Sequence, residues 1–172
     1  MLRYCFILLL VLPACTDPNA TLEAQQEQYH QAHLLAERQP TYPVVGPGFR
    51  LGMDSAQVRH HLDSLRMRDE LNWRLSLGPV MTTYAPSYNA GKLLELTLLL
   101  QAGGQPGALA HLELQRGLRR AYGDAGCPHW VSSQQQQLSW FKGGTEIELT
   151  PLPGVGYQLR YTDLHQFYLL TR

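Results

Sequence analysis

The stretch that decides the fold is Leu138–Thr150, LSWFKGGTEIELT, in which two alternating segments flank Gly143 and Gly144. On both sides of the glycines, apolar and polar residues alternate except at Phe141, and this pattern is typical of a strand with one buried face. A pair of glycines between two such segments indicates a two-residue hairpin turn. We therefore predict an antiparallel sheet in which Trp140 and Ile147 point to the buried face.

The same alternation recurs along the chain, so the sheet is expected to contain about five to seven strands. Short alternating strands separated by glycine and proline favour antiparallel pairing, with one face of the sheet against a core. The other strand candidates are residues 71–77, 80–84, 94–98 and 156–162, and a last strand is expected in the tail over residues 167–170.

Two amphipathic helices are predicted between the strands. Ser55–Leu65 has its apolar residues on one side, and Asp54 precedes it as an N-cap. Ala108–Tyr122 has a similar apolar side and ends at Gly123, a residue suited to stop a helix. An alternating sheet must bury its apolar face, so both helices are expected to pack on that face. The predicted fold class is therefore α+β.

The first fifteen residues have the layout of an export signal. Arg3 gives a positive start, and Cys5–Leu12 is an apolar run too short to cross a bilayer as a helix. The run LPAC at 12–15 resembles the cleavage motif of bacterial lipoproteins. This resemblance implies lipidation of Cys15 and stable anchoring in a membrane by two or three acyl chains. Ordinary secretion with cleavage elsewhere, and an uncut membrane tether, are the alternatives.

A polar helix is predicted between this signal and the sheet domain. Residues 21–38 are rich in glutamine and have only a weak apolar stripe, so the helix either forms a stalk or packs loosely on the domain. The segment PTYPVVGPG at 40–48 follows as a hinge-like linker. The predicted division of the chain is a signal peptide at 1–14, the lipidated N-terminus with helix and linker at 15–48, and the α+β domain at 49–172.

The composition limits the partners and the location. Cleavage before Cys15 would remove 14 of the 172 residues, leaving 158 with 13 basic and 14 acidic side chains. A net charge near −1 gives no electrostatic reason to expect a nucleic acid. Cys127 would be the one unmodified cysteine, so an intramolecular disulfide is excluded. Thr16 follows the lipidation site where inner-membrane lipoproteins of some bacteria carry Asp, which favours the outer membrane facing the periplasm.

One internal segment resembles a known family. Residues 49–58, FRLGMDSAQV, resemble the "G-M-T-x-x-E-V" start of small envelope lipoproteins of the SmpA/OmlA type. This group includes the small lipoprotein of the outer-membrane β-barrel assembly machine and is similar to the β-lactamase-inhibitor-like fold. The resemblance implies helices packed on an antiparallel sheet and a protein-binding rather than catalytic role. The segment is a helix-start signature, so no functional residue is carried over with it.

No recognisable catalytic or cofactor motif occurs in the sequence. There is no nucleophile elbow, zinc-protease motif, phosphate loop or dinucleotide fingerprint. His30 and His33 lie one helical turn apart, but the sequence supplies no third metal ligand. Cys127 and His129 bring a thiol near an imidazole without a third orienting group. We therefore expect no catalytic residue, metal or cofactor, and we favour a binding protein over an enzyme.

The outward phase of the strands supplies a candidate contact face. Opposite charges surround two apolar side chains there, a mixture found at protein interfaces. The alternative is that helices cover both faces of the sheet. The candidate partner-binding residues are Arg74, Glu95, Leu99, Phe141, Glu146, Glu148 and Arg160.

The sequence as a whole thus favours a membrane-anchored lipoprotein of the bacterial cell envelope. We expect it to act as a non-catalytic protein-binding or assembly module, with an envelope protein as its partner. The alternative is an envelope hydrolase or small-ligand carrier whose site residues the sequence does not reveal. A conserved polar cleft would favour that alternative, whereas conserved apolar positions would favour the binding module.

Overall fold

The computed structural model describes residues 18–71, 73–75, 78–102, 108–123, 127–132 and 135–171. The predicted signal and Cys15 lie outside the described residues. The helices are α1 (Pro18–Glu37), α2 (Ser55–Met67), α3 (Ala108–Tyr122) and α4 (Leu164–Thr171). The strands are β1 (Val44–Val45), β2 (Phe49–Arg50), β3 (Trp73–Leu75), β4 (Gly78–Asn89), β5 (Lys92–Ala102), β6 (Cys127–Ser132), β7 (Gln135–Lys142), β8 (Thr145–Leu152) and β9 (Gly156–Asp163).

The fold is α+β, as the alternation predicted. β1 and β2 pair with each other, and the other strands form one sheet in the order β3-β4-β5-β9-β8-β7-β6. All neighbouring strands are antiparallel. The sheet consists of two meanders, β3 to β5 and β6 to β9, which are joined by the pairing of β5 with β9. A helix precedes each meander along the chain.

The Gly143–Gly144 hairpin forms where the sequence predicted it. Lys142 pairs with Thr145 across the turn, and Trp140 pairs with Ile147. Gly143 has a φ of 57°, a conformation that side chains with a Cβ rarely adopt. Trp140 and Ile147 are both buried, so the predicted register of these strands is confirmed.

The apolar face of the sheet forms the core. Side chains from four central strands are buried there together with Val58 and Leu65 of α2 and with Leu114 and Leu118 of α3. The N-cap predicted at Asp54 is confirmed, because its N–H donates to Gln57 Oε1 at 3.0 Å. The fully buried sheet residues of this core include Leu96, Leu98, Ile147, Leu149, Leu159 and Tyr161.

One inward position differs from the predicted alternation. Leu94 was expected to share the phase of Leu96, but Leu93 is the fully buried residue and Leu94 is half-buried. The pairing of β4 with β5 shifts by one residue between Ser87 and Tyr88, which is a β-bulge. A bulge adds one unpaired residue to a strand and reverses the phase beyond it.

The tail is a helix, so the strand predicted over residues 167–170 is wrong. β9 ends at Asp163, whose Oδ1 accepts the N–H of Gln166 at 2.9 Å. A carboxylate that caps the first turn in this way starts a helix. Leu164 is buried, whereas Leu169 and Leu170 are exposed, which is a helical rather than an alternating pattern.

The segment between α1 and β2 is packed against the domain. Val45 is buried in the core and pairs with Phe49. The Gly144 N–H donates to the Thr41 carbonyl oxygen at 2.7 Å. A Cβ at either glycine of the hairpin turn would collide with the backbone of residues 39–41. The linker predicted as a hinge is therefore clamped by the turn of the hairpin.

The helix α1 lies against the sheet on the side opposite the core. It contacts β6, β7, β8 and α4. Among its described side chains, Ala36 is buried and the remainder are half-buried or exposed. Of the two arrangements open from the sequence, the helix therefore packs on the domain within the described residues. No described helix is both long enough and apolar enough to cross a bilayer.

Candidate protein-contact face

Six of the seven predicted contact residues lie on one face of the sheet. The strand register pairs Phe141 with Glu146 and Glu148 with Arg160. It also pairs Arg160 with Thr97, so the same face continues onto β5 with Glu95 and Leu99. We call this side, opposite the apolar core, the polar face. The side chain of the seventh residue, Arg74, lies outside the described side chains.

The helix α1 covers the part of the polar face over β6, β7 and β8, which we call the covered half. The ring of Phe141 contacts Tyr29 edge-on at 5.6 Å between centroids and His33 at 6.2 Å. Phe141 is therefore half-buried beneath α1, so this part of the predicted contact face is covered in the structure. The alternative recognised in the sequence, that helices cover both faces of the sheet, holds for this half.

Two carboxylates lie beneath α1 in the covered half. Glu146 is 5% exposed and Glu148 is 4% exposed, so these two predicted contact residues are buried in the structure rather than available at the surface. The Tyr29 hydroxyl donates to Glu146 Oε1 at 2.6 Å. Burial, with the nearby charge of Glu148, raises the pKa of Glu146 to about 7. Burial and the contact with Glu146 also raise the pKa of Tyr29.

Glu148 forms an ion pair with Arg160, whereas no ion pair to Glu146 occurs within the described residues. Arg160 forms an ion pair and a hydrogen bond with Glu148, and Gln137 donates a second hydrogen bond to the same carboxylate. Ser139 faces Glu148 on the neighbouring strand and is fully buried. Its Oγ has no hydrogen-bond partner within the described residues. With both carboxylates ionised, this buried cluster would carry two negative charges against one positive charge.

The rest of the polar face, over β4, β5 and β9, is the open half. Met81 is 65% exposed, and Thr83 and Ala85 are exposed as well. Arg160 and Glu95 lie between this half and the covered half, and both are half-buried. The residues of the open half are Met81, Thr83, Ala85, Thr97, Leu99 and Gln158.

The cover over Glu146 and the spacing of potential metal ligands bear on the chemistry of this site. A carboxyl with a pKa near 7 suits general acid–base chemistry, but the docked helix covers Glu146. Within the described residues, no three His, Cys, Asp or Glu side chains are placed to bind one metal ion. His33 Nδ1 instead lies 3.0 Å from Glu37 Oε1 on the same helix. The side chains of Cys127 and His129 lie outside the described side chains, so the thiol–imidazole pair stays untested.

The buried polar layer is the feature that the sequence did not reveal. Gln137, Ser139, Glu146, Glu148 and Thr162 are all buried on the outward phase of the strands. Alternation marks which residues share a face but not what covers that face. The sequence feature that could have indicated the cover is the pair Tyr29 and His33, two rings one turn apart on an otherwise polar helix.

Comparison with known proteins supplies no relative that could assign this face. No protein-family model matches the chain, and no curated protein or solved structure matches it at a significant level.

Proposed function

We propose that this protein is a membrane-anchored envelope lipoprotein that acts as a non-catalytic protein-binding or assembly module through its polar face. Its location would be the bacterial envelope, with the outer membrane facing the periplasm as the favoured site. The likeness of residues 49–58 to the SmpA/OmlA group supports the same class of role. In this protein those residues form β2, a turn and the capped start of α2.

The membrane part of the proposal rests on the leader and on the position of α1. The export-signal layout ends at Cys15, and α1 begins at Pro18. Three residues of chain span at most roughly 10 Å. A lipid on Cys15 would therefore hold the start of α1 close to the bilayer surface, with the sheet packed alongside the helix.

The observation that carries the binding role is that α1 covers only half of the polar face. The open half presents exposed Met81 and half-buried Leu99 among small polar side chains. Glu95 and Arg160 border it, one of each charge. Apolar contacts inside a charged rim are characteristic of protein–protein interfaces, in which the rim sets orientation more than affinity.

Lipidation is tested by metabolic labelling with a palmitate analogue. The wild-type chain should incorporate the label, and the Cys15→Ala variant should not. A Cys5→Ala variant is the matched control, because it changes a cysteine that the signal would discard. Equal labelling of the wild type and Cys15→Ala would contradict the anchor.

Binding is tested by site-specific photo-crosslinking in the native host. A photoreactive side chain at Ala85 or Thr97, both on the open half, should give one discrete adduct. The same group at Arg59, which is exposed on α2 at the other side of the sheet, is the matched control. Introducing Leu99→Glu should abolish the adduct from Ala85. Equal adducts from Arg59, or none from the open half, would contradict the proposal.

A further inference from the structure

Polar and aromatic groups connect α1 to the sheet. Tyr29 bonds to Glu146, and Tyr29 and His33 pack their rings on Phe141. Of the apolar side chains on the described part of the helix, Ala36 is buried, whereas Leu22, Ala32 and Leu34 are half-buried. Apolar burial supplies most of the free energy that docks a helix. A helix that buries one small apolar side chain completely therefore depends in part on the polar contacts beneath it.

Glu146 is surrounded by a fixed set of charged and titratable groups. The coulombic contacts that act on it come from Glu148 and Arg160, and Tyr29 bonds to it. Arg160 is already paired with Glu148. Among the described side chains, the groups that face this region are Tyr29 and the His33–Glu37 pair on α1, Glu148 on β8, Arg160 on β9, Glu95 on β5, and His165 on α4, which bonds to the Glu37 carbonyl oxygen. The strand register also places His129 of β6 on this face, opposite Gln137.

Ionisation of Glu146 places a second negative charge in a buried site that has one cation. When α1 lifts away, water reaches the carboxylate and solvates that charge. The docked arrangement is therefore the one that disfavours ionisation, in agreement with the raised pKa of this carboxyl. By linkage, protons favour the docked helix, and the docking weakens as the pH rises toward neutrality.

We propose that α1 is a proton-controlled latch that closes the covered half of the polar face tightly while Glu146 is protonated and loosens when Glu146 ionises. Release of the latch would add Phe141, Glu146 and Glu148 to the open half as contact surface. Its regulatory meaning rests on the proposed binding function, whereas the latch itself can be tested without any partner.

Hydrogen exchange followed by mass spectrometry tests the latch on the full lipidated chain in detergent micelles. After correction for the intrinsic exchange rate, the protection of residues 18–37 should fall about tenfold per pH unit between roughly pH 5 and 7. It should then level off, because Glu146 is ionised in both states above that range. Residues 92–102 of β5, which α1 does not cover, report global unfolding, so α1 should exchange faster than β5 across this range because the latch opens without unfolding the sheet. Flat protection of α1 across this range would overturn the latch.

Substitutions assign the effect to one group. Glu146→Gln keeps an oxygen that accepts the Tyr29 hydroxyl but cannot ionise, so α1 should stay protected at every pH. His33→Gln, Glu37→Gln and His129→Gln are the matched controls, because His33 and Glu37 form the other ionisable pair at this contact and the register places His129 on the covered half. All three controls should keep the wild-type pH dependence. Persistence of the dependence in Glu146→Gln, or its loss in His33→Gln, would overturn the assignment.

A second variant guards against misfolding of Glu146→Gln. Tyr29→Phe removes the hydroxyl donor and leaves the carboxyl in place, so α1 should be less protected at every pH while the pH dependence remains. A flat profile in this variant would contradict the latch.

Failure of the crosslinking experiment leaves these predictions standing, and failure of the exchange experiment leaves binding by the open half standing. The two proposals are therefore separable.

Discussion

The two faces of the sheet are built from the same strands but closed in different ways. The apolar face is sealed by α2 and α3 over side chains such as Leu98 and Trp140, which water does not reach. The polar face is half closed by α1, which rests on Glu146 and Glu148. Apolar burial is insensitive to pH, whereas burial of carboxylates is not. One face therefore holds the fold together, and the other can respond to its surroundings.

The largest effect should come from the apolar face. Trp140→Ala removes a nearly fully buried ring from the core and should lower the free energy of unfolding by about 3–5 kcal/mol. Chemical denaturation measures this change. A loss below roughly 1 kcal/mol would mean that Trp140 does not fill core volume, and the assignment of the two faces would be wrong.

The next effect belongs to the polar face and depends on pH. The pKa of Glu146 is raised by burial and by Glu148 from its ordinary 4.5 to about 7. A carboxyl whose pKa is raised in the folded state stabilises that state fully below about pH 4.5, and the contribution is lost as the pH rises through about 7. The shift corresponds to about 3 kcal/mol. The stability difference between Glu146→Gln and the wild type should therefore grow in favour of the variant over this range and be constant above it.

Denaturation of both proteins at pH 4.5, 6 and 8 measures the difference. Asp163, whose pKa burial also raises, is unchanged in both chains, so its contribution cancels. An advantage of Glu146→Gln that is largest at acid pH would contradict the sign of the effect. It would mean that the positive charge of Arg160 stabilises the ionised form of Glu146 rather than that of Glu148.

The part of the fold that was predictable from the sequence is the part with local signals. Alternation around Gly143 and Gly144 predicted the hairpin and its register, and Asp54 and Gly123 predicted helix ends. These features depend on a few neighbouring residues whose conformational preferences are strong. The bulge near Ser87 and the helical tail had no comparable signal, because distant pairing and a single capping carboxylate decide them.

The candidate face was only partly predictable for a different reason. Strand parity brought six residues onto one face because parity is fixed by the pleat. Whether a face is covered depends on contacts across more than a hundred residues, such as that between Tyr29 and Glu146. Glutamate on an outward strand position is typical of a solvated surface, so the pattern indicated exposure where the structure has burial.

A smaller effect should come from the residue next to Trp140. Phe141→Ala removes a half-buried ring from the contact with Tyr29 and His33 and should lower the free energy of unfolding by about 1–2 kcal/mol. The loss should be accompanied by faster amide exchange in α1. A loss equal to that of Trp140→Ala would indicate that the covered half is as firmly packed as the core, and the difference between the two faces would disappear.

The smallest effect on stability is expected at the open half. Met81 is mostly exposed, so Met81→Ser should change the free energy of unfolding by no more than about 0.5 kcal/mol. Leu98→Ala, which empties a fully buried position on β5, should cost about 2–5 kcal/mol and is the matched contrast.

If the open half binds a partner, Met81→Ser should still weaken the photo-crosslinked adduct from Ala85, because the exposed thioether supplies apolar contact area there. Thermal melts and crosslinking on the same preparations separate the two readouts. An adduct of unchanged yield would place Met81 outside the interface, and a large loss of stability would show that this half is covered by other parts of the chain.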